Sequence, residues 1–156
     1  MNSTRPFLPD DSGLINIFDE TKHVAVVGFS DSVSRPSHQI ARYLAAHGYR
    51  VTGVNPLLAV RGQPAPIIEG ILVVPSLLEA REIAPVDLVD VFRRSSEVAP
   101  VAEAAIEIGA RVLWLQDGVI DLASAERAQQ AGLTVVMDTC TLREHRRLVR
   151  ERVPQR

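Results

Sequence analysis

The sequence predicts an α/β fold: a doubly wound parallel sheet of about five strands, in three layers and a single domain. Short, nearly continuous β-branched runs alternate with segments of helical periodicity, as a parallel sheet covered on both faces requires. One local grammar also recurs, a helical stretch closed by glycine and followed by a strand, in "AAHGYRV", "EIGARV" and "QAGLTV". Gly48, Gly109 and Gly132 each stand three residues before a valine of the following strand. Glycine just past a helix end adopts the left-handed conformation that other residues resist, so it stops the helix and turns the chain. With 156 residues, 46% of them hydrophobic, the chain can bury one ordinary core and is too short for two.

Taken in order, residues 1–20 read as a short leading helix or arm. The first strand is "HVAVVGF" at 23–29, and the loop "GFSDSVSRPS" leads from it into a helix opening at Pro36. The second strand is "RVTGVN" at 50–55. After it, "NPLLAVRGQPAPIIEGI" is rich in Pro and Gly and reads as an irregular crossing, with a weaker strand candidate, "GILVV", at its end. The third clear strand is "DLVDVF" at 87–92. In the helix that follows, Val98, Val101, Ala102, Ala105 and Ile108 share one face, and Glu103 and Glu107 lie on another. Pro100 sits near its start, where the missing N–H costs least. "RVLWLQ" and "LTVVM" supply the remaining strands. The tail "TLREHRRLVRERVPQR" reads as a final amphipathic helix whose arginines are interleaved with Glu144 and Glu151, a solvated face and not a nucleic-acid patch. The domain proper is therefore expected over residues 21–150, with 151–156 as a C-terminal tail.

A net charge of −2 and a pI near 6.1 provide no global cationic field for a nucleic-acid partner, so any anion site must be local. The single cysteine forms no internal disulfide, the N-terminal stretch lacks a leader pattern, and no apolar run spans a bilayer; a cytoplasmic, non-membrane protein is expected. His23, His38, His47 and His145 show no metal-ligand spacing, and neither a nucleophile-elbow nor a phosphate-loop motif occurs. No metal and no catalytic residue are predicted.

The first loop carries the functional signal. In a doubly wound sheet the ligand sits beyond the carboxyl ends of the strands, which brings together the segments after Gly28, Asn55, Phe92, Gln116 and Met137. The first turn of the helix at Pro36 presents unpaired N–H groups and a positive dipole end, a seat for a pyrophosphate, with Arg35 and the hydroxyls of Ser30, Ser34 and Ser37 beside it. A dinucleotide site normally has a carboxylate at the end of the second strand for the ribose hydroxyls. Here that place holds Asn55 and Pro56. Between Asp31 and Glu69 there is no acid, whereas 19 acids in 156 residues would put about 4.5 in positions 32–68. The same window carries Arg35, Arg42, Arg50 and Arg61. A ligand with a phosphate on its ribose suits such surroundings, which points to NADP or coenzyme A (CoA).

Four blocks, "VAVVGFSDSVSRPSHQIARYLAAHGYRVTGVNP", "VDLVDVFRRSSEV", "VLWLQDGVI" and "VVMDTCTLREHRRL", together resemble the small stand-alone CoA-binding proteins of bacteria, in order from about Lys22 to Leu148. That family is similar to the CoA-binding domain of the succinyl-CoA synthetase α subunit, a Rossmann-like fold. The resemblance implies CoA or acyl-CoA as the small-molecule ligand; with no catalytic motif in the chain, binding without catalysis is expected, by a monomer or homodimer. It implies that Gly28, Phe29, Ser30, Ser34, Arg35 and Pro36 hold the pyrophosphate region and that Asn55 and Pro56 border the adenosine. Phe92, Arg93 and Arg94 follow the third clear strand, where the arginines could meet phosphate or form a solvated pair at a helix start. Gln116, Asp117 and Gly118 are implied along the pantetheine path, or else form a plain turn with Asp121 as a cap. Cys140 is implied near the CoA sulfur, although its flanks Thr139 and Thr141 depart from the family's Cys-Pro turn. Two alternatives stay open, an NADP-dependent oxidoreductase and an interaction module that recruits a partner through the arginine-rich tail.

Overall fold

The computed structural model describes residues 5–152; the tail expected from 151 lies outside them except for the end of the last helix. The chain forms β1 (His23–Val27), β2 (Arg50–Val54), β3 (Ile67–Ile68), β4 (Ile71–Val74), β5 (Leu88–Val91), β6 (Val112–Leu115) and β7 (Thr134–Val136). Between and around them lie α1 (Asp11–Glu20), α2 (Pro36–Ala46), α3 (Leu77–Ile83), α4 (Val98–Glu107), α5 (Leu122–Gln130) and α6 (Thr141–Arg152). One sheet holds all the strands in the order β3-β4-β2-β1-β5-β6-β7.

Period-2 alternation divides the central strands between two cores. Ala25, Val27, Val89, Val91, Leu113 and Leu115 pack under α3, α4 and α5. Val24, Val26, Leu88, Val112 and Trp114 pack under α1, α2 and α6, with Phe18, Ile40, Leu44 and Leu148 from the helices. The central strands β1, β5 and β6 are buried at every position, which is why they read as unbroken apolar runs. The three helix-closing glycines take positive φ as expected, 96° at Gly48, 75° at Gly109 and 101° at Gly132. The leading helix α1 belongs to one of the covering layers, tied to α6 by the Arg147–Asp11 ion pair at 2.9 Å.

The doubly wound, three-layer expectation holds, but the sheet has seven strands where about five were expected, and one is antiparallel. The weak candidate forms β4, parallel to β2, and β3 folds back on it through the two-residue turn Glu69–Gly70, with φ of 51° and 83°. Both turn residues take the left-handed conformation, the geometry whose twist matches a tight hairpin. Two residues are too few to display a period, so β3 is hidden inside a Pro- and Gly-rich segment.

Candidate functional site

The chain winds outward from β1 in one direction through β2 and β4 and in the other through β5, β6 and β7, so the winding reverses between β1 and β5. Above that point, at the carboxyl ends of the strands, opens a cleft of about 740 Å³. Its size lies within the range typical of small-molecule sites. A smaller hollow of about 460 Å³ at the opposite sheet edge is bordered by the Glu20–Arg111 ion pair and by Asp87. The Asp87 carboxylate there accepts from the backbone of Lys22 and His23, so its charge is used in the fold.

The rim is built by the first loop. Gly28 ends β1 at φ 87°, and a β-carbon there would stand 2.4 Å from the Phe92 carbonyl oxygen, so only glycine lets the loop cross the end of β5. The Phe29 side chain turns inward, 0% exposed, onto the bare backbone of Gly53, where an added β-carbon would meet its ring at 2.8 Å. Its other neighbour is His38, stacked at 5.5 Å. Ser30 N–H donates to Ser37 Oγ at 3.1 Å, and His38 Nδ1 contacts the Ser30 carbonyl at 2.8 Å, which winds the loop onto the first turn of α2. Asn55 Nδ2 donates to the Phe29 carbonyl at 2.8 Å while Oδ1 accepts from Leu57 N–H at 2.8 Å. An aspartate could perform only the second task, since a carboxylate has no hydrogen to give. The absence of an acid at the end of β2 therefore has a structural cause as well.

Charge in the cleft is selectively left unpaired. Arg35 and Arg94 line it and are exposed, and neither has an acidic partner among the described residues. Arg93 lines it too but is paired with Glu97 at 2.8 Å. Of the other arginines in the acid-free window, Arg42 pairs with Glu69 at 3.1 Å and Arg61 with Glu79 at 2.7 Å, neither in the cleft lining. The local cationic character thus comes from Arg35 and Arg94, not from the window as a whole. Two acids reach the cleft. Asp31 stands on the first loop; Asp117 is held by Arg143 at 2.8 Å, and that hydrogen bond keeps its carboxyl below the usual range.

The floor comes from the ends of β5, β6 and β7. Gln116 and Cys140 line it. Asp90 lies fully buried beneath, hydrogen-bonded to Gln116 and Thr141, and burial pushes its carboxyl up to about 7. Trp114 Nε1 donates to the Thr139 carbonyl at 2.7 Å and holds the turn that presents Cys140. His145, one helical turn beyond Cys140, hydrogen-bonds through Nδ1 with Tyr43 at 2.9 Å and packs edge-on against Phe18. Burial, with His47 adding to it, lowers its pKa to about 4.

Of the residues singled out in the sequence, the structure gathers Gly28, Phe29, Ser30, Arg35, Pro36, Asn55, Phe92, Arg93, Arg94, Gln116, Asp117 and Cys140 around this one cleft. Phe29 borders it from within, 0% exposed, its ring inside and its carbonyl taken by Asn55. Three are not in the lining. The Ser34 hydroxyl is exposed and pairs with that of Ser32 at 3.1 Å, and Pro56 is exposed between Asn55 and Leu57. Gly118 forms a turn at φ 78°, its N–H donating to Asp138 at 2.7 Å. Asp121 stands at the N-cap of α5, but its side chain takes the Ser124 hydroxyl at 2.6 Å and no backbone N–H. Sequence reasoning did not assign Asp31, Ile40, Leu57, Leu58 and Val119 to the site. Ile40 lies one turn beyond Pro36 on the same helix face, the one signal among these that spacing offers.

Comparison with known proteins identifies the family. Residues 22–146 match the family model described as a CoA binding domain. An uncharacterised Bacillus subtilis protein, YneT, is 34% identical over 133 residues, which cover 85% of this chain and 91% of YneT. A hypothetical protein from Pyrococcus horikoshii superposes with a TM-score of 0.83 at 31% identity, covering 96% of this chain and 99% of that one. A Thermus thermophilus protein superposes at 0.80 with 34% identity over 90% and 99% of the two chains. With the family model running from β1 into α6 and these likenesses spanning nearly whole chains, the protein belongs to the CoA-binding domain family.

Proposed function

We propose that the protein binds CoA or acyl-CoA in the cleft at the carboxyl edge of the sheet and does so without turning it over. The pyrophosphate lies against the first loop and the start of α2, within reach of Arg35, and Arg94 serves a second phosphate. The pantetheine arm runs over Gln116 towards Cys140. The observation that carries this reading is the pair of unpartnered arginines lining the cleft, Arg35 at the N-cap of α2 and Arg94 after β5, at the point where the winding reverses, since cationic charge left unpaired beside a helix N-terminus is suited to a polyanion. The engagement of Asp117 by Arg143 and of His145 by Tyr43 supports binding without catalysis, with Asp31 on the first loop as the other acid of the lining. Among the described residues no helix is long and apolar enough to cross a membrane.

Calorimetry with CoA, dephospho-CoA and NADP tests the assignment. CoA should bind tightest, because only it combines a ribose phosphate with the pantetheine arm. Equal binding of all three, or none, removes the reading, and NADPH oxidation by the purified protein would favour the oxidoreductase alternative in its place.

A further inference from the structure

Beneath the cleft floor lies a polar cluster that binding as described above leaves unused. Asp90 on β5 is 0% exposed, with Val26 of β1 and Trp114 of β6 as its strand neighbours. Gln116 Nε2 donates to Asp90 Oδ1 at 2.6 Å and to Thr141 Oγ1 at 2.7 Å, and Thr141 Oγ1 donates to Asp90 Oδ2 at 2.8 Å. A side-chain amide has two N–H hydrogens, so both are used inside the protein. What Gln116 has left is its carbonyl oxygen. Among the described residues the one buried side-chain N or O atom without a hydrogen-bond partner is His38 Nε2, so Gln116 Oε1 is not sealed away; Gln116 lines the cleft, and Oε1 is the side-chain polar atom it has left to offer there.

The amide orientation depends on the state of Asp90. An ionised carboxylate only accepts, and a reversed amide would set two acceptors against each other at 2.6 Å. A protonated Asp90 can donate, and either orientation then satisfies the contact.

We infer that Asp90 is a positioning residue: its carboxylate fixes Gln116 with the carbonyl towards the cleft, so the floor accepts a hydrogen bond from an N–H or S–H of the ligand, and protonation of Asp90 releases that selection. Burial with a pKa raised to about 7 places the change near neutrality. The neighbouring elements add no direct ion pair to Asp90 among the described residues. Arg93, after its own strand, is paired with Glu97; Asp117, after β6, with Arg143; and Glu144 in α6 with Arg147 and Arg143. Arg94 is exposed, β1 contributes apolar Val26, and α6 also carries buried His145, which is bonded to Tyr43, beyond the turn that bears Cys140.

The inference rests on the CoA reading for its probe, so the experiment separates the two. In a Cys140→Ser background, which removes the neighbouring thiol, CoA affinity is measured by calorimetry between pH 6 and pH 8 with and without Asp90→Asn. If the ligand needs the locked amide, affinity rises about tenfold over that interval, following the ionised fraction of Asp90, beyond any change caused by the ligand's own phosphates. Asp90→Asn shows only the latter. In the ligand-free protein, the Gln116 side-chain N–H pair is protected from hydrogen exchange above neutral pH and loses protection below it, a signature that a merely structural Asp90 would not produce. Repeating the titration with S-methyl-CoA identifies the donor: a persisting pH response assigns it to an amide N–H, a lost one to the thiol. No CoA binding at any pH overturns the CoA reading and this inference with it. CoA binding with the same pH response in both proteins, or uniform protection of Gln116, overturns the inference alone.

Discussion

Two buried groups pull the stability of this protein in opposite directions as pH changes, and their near-cancellation can be broken by substitution. Asp90 has its pKa raised by burial from the ordinary 3.8 to about 7, so between those values the folded chain holds a proton that the unfolded chain has lost, and stability falls as pH rises. His145 has its pKa lowered from 6.5 to about 4, first by burial and then by His47, so the unfolded chain holds the extra proton and stability rises with pH. From about pH 5 to about pH 7.5, linkage gives a loss of about 2.5 kcal/mol through Asp90 and a gain of about 2 kcal/mol through His145. His23, lowered by burial, adds in the direction of His145. Urea unfolding of the unmodified protein at the two pH values should therefore differ by no more than about 1 kcal/mol. Asp90→Asn leaves the histidines unopposed, and its stability should rise by about 2 kcal/mol over the same interval. His145→Asn, which keeps a polar atom near the position of Nδ1, should lose about 2.5 kcal/mol instead. The readout is a slope, so an overall loss of stability in either variant does not obscure it. Parallel profiles for the three proteins would show that neither group titrates as its burial demands.

Other outcomes are equally specific. Gly28→Ala places a methyl 2.4 Å from the Phe92 carbonyl oxygen at φ 87°, so it should lower stability by about 2 kcal/mol or more in urea melts and weaken CoA binding; an unchanged variant would mean that the loop does not cross β5 so closely. Arg35→Ala should weaken CoA about tenfold and flatten the salt dependence of binding, as expected for one charge-assisted contact, while Arg42→Ala, whose partner is Glu69, leaves both unchanged; calorimetry at two salt concentrations distinguishes them. Saturating CoA should slow alkylation of Cys140 by iodoacetamide, followed by intact mass spectrometry, and equal rates with and without CoA would move the pantetheine arm away from the end of β7.

The division between what could be read from the chain and what could not follows the physics of each element. β1, β5 and β6 are buried on both faces and declare themselves as apolar runs, and the glycines that end α2, α4 and α5 mark where each next strand begins. Once the strand order is granted, the residues after each carboxyl end converge, and Gly28, Asn55, Gln116 and Cys140 could be placed together without coordinates. Pairing across the sequence could not. That Arg42 and Arg61 are neutralised by Glu69 and Glu79, and Asp117 by Arg143, depends on side chains meeting in three dimensions, so the acid-free window overstated the positive charge offered to a ligand. Asp90 carries no signal of a role within its strand, because nothing in "DLVDVF" reveals that its neighbours in space are an amide and a hydroxyl.

The ring of Phe29, driven into the gap that Gly53 leaves, works as a peg between the mouth of the cleft and the sheet behind it. A mouth pegged in this way has little freedom to swing open or shut, so the first loop meets its guest already in its final shape. At a pH where Asp90 is ionised, association should then proceed in one step, with an observed rate that climbs in proportion to ligand concentration and shows no plateau from a preceding rearrangement.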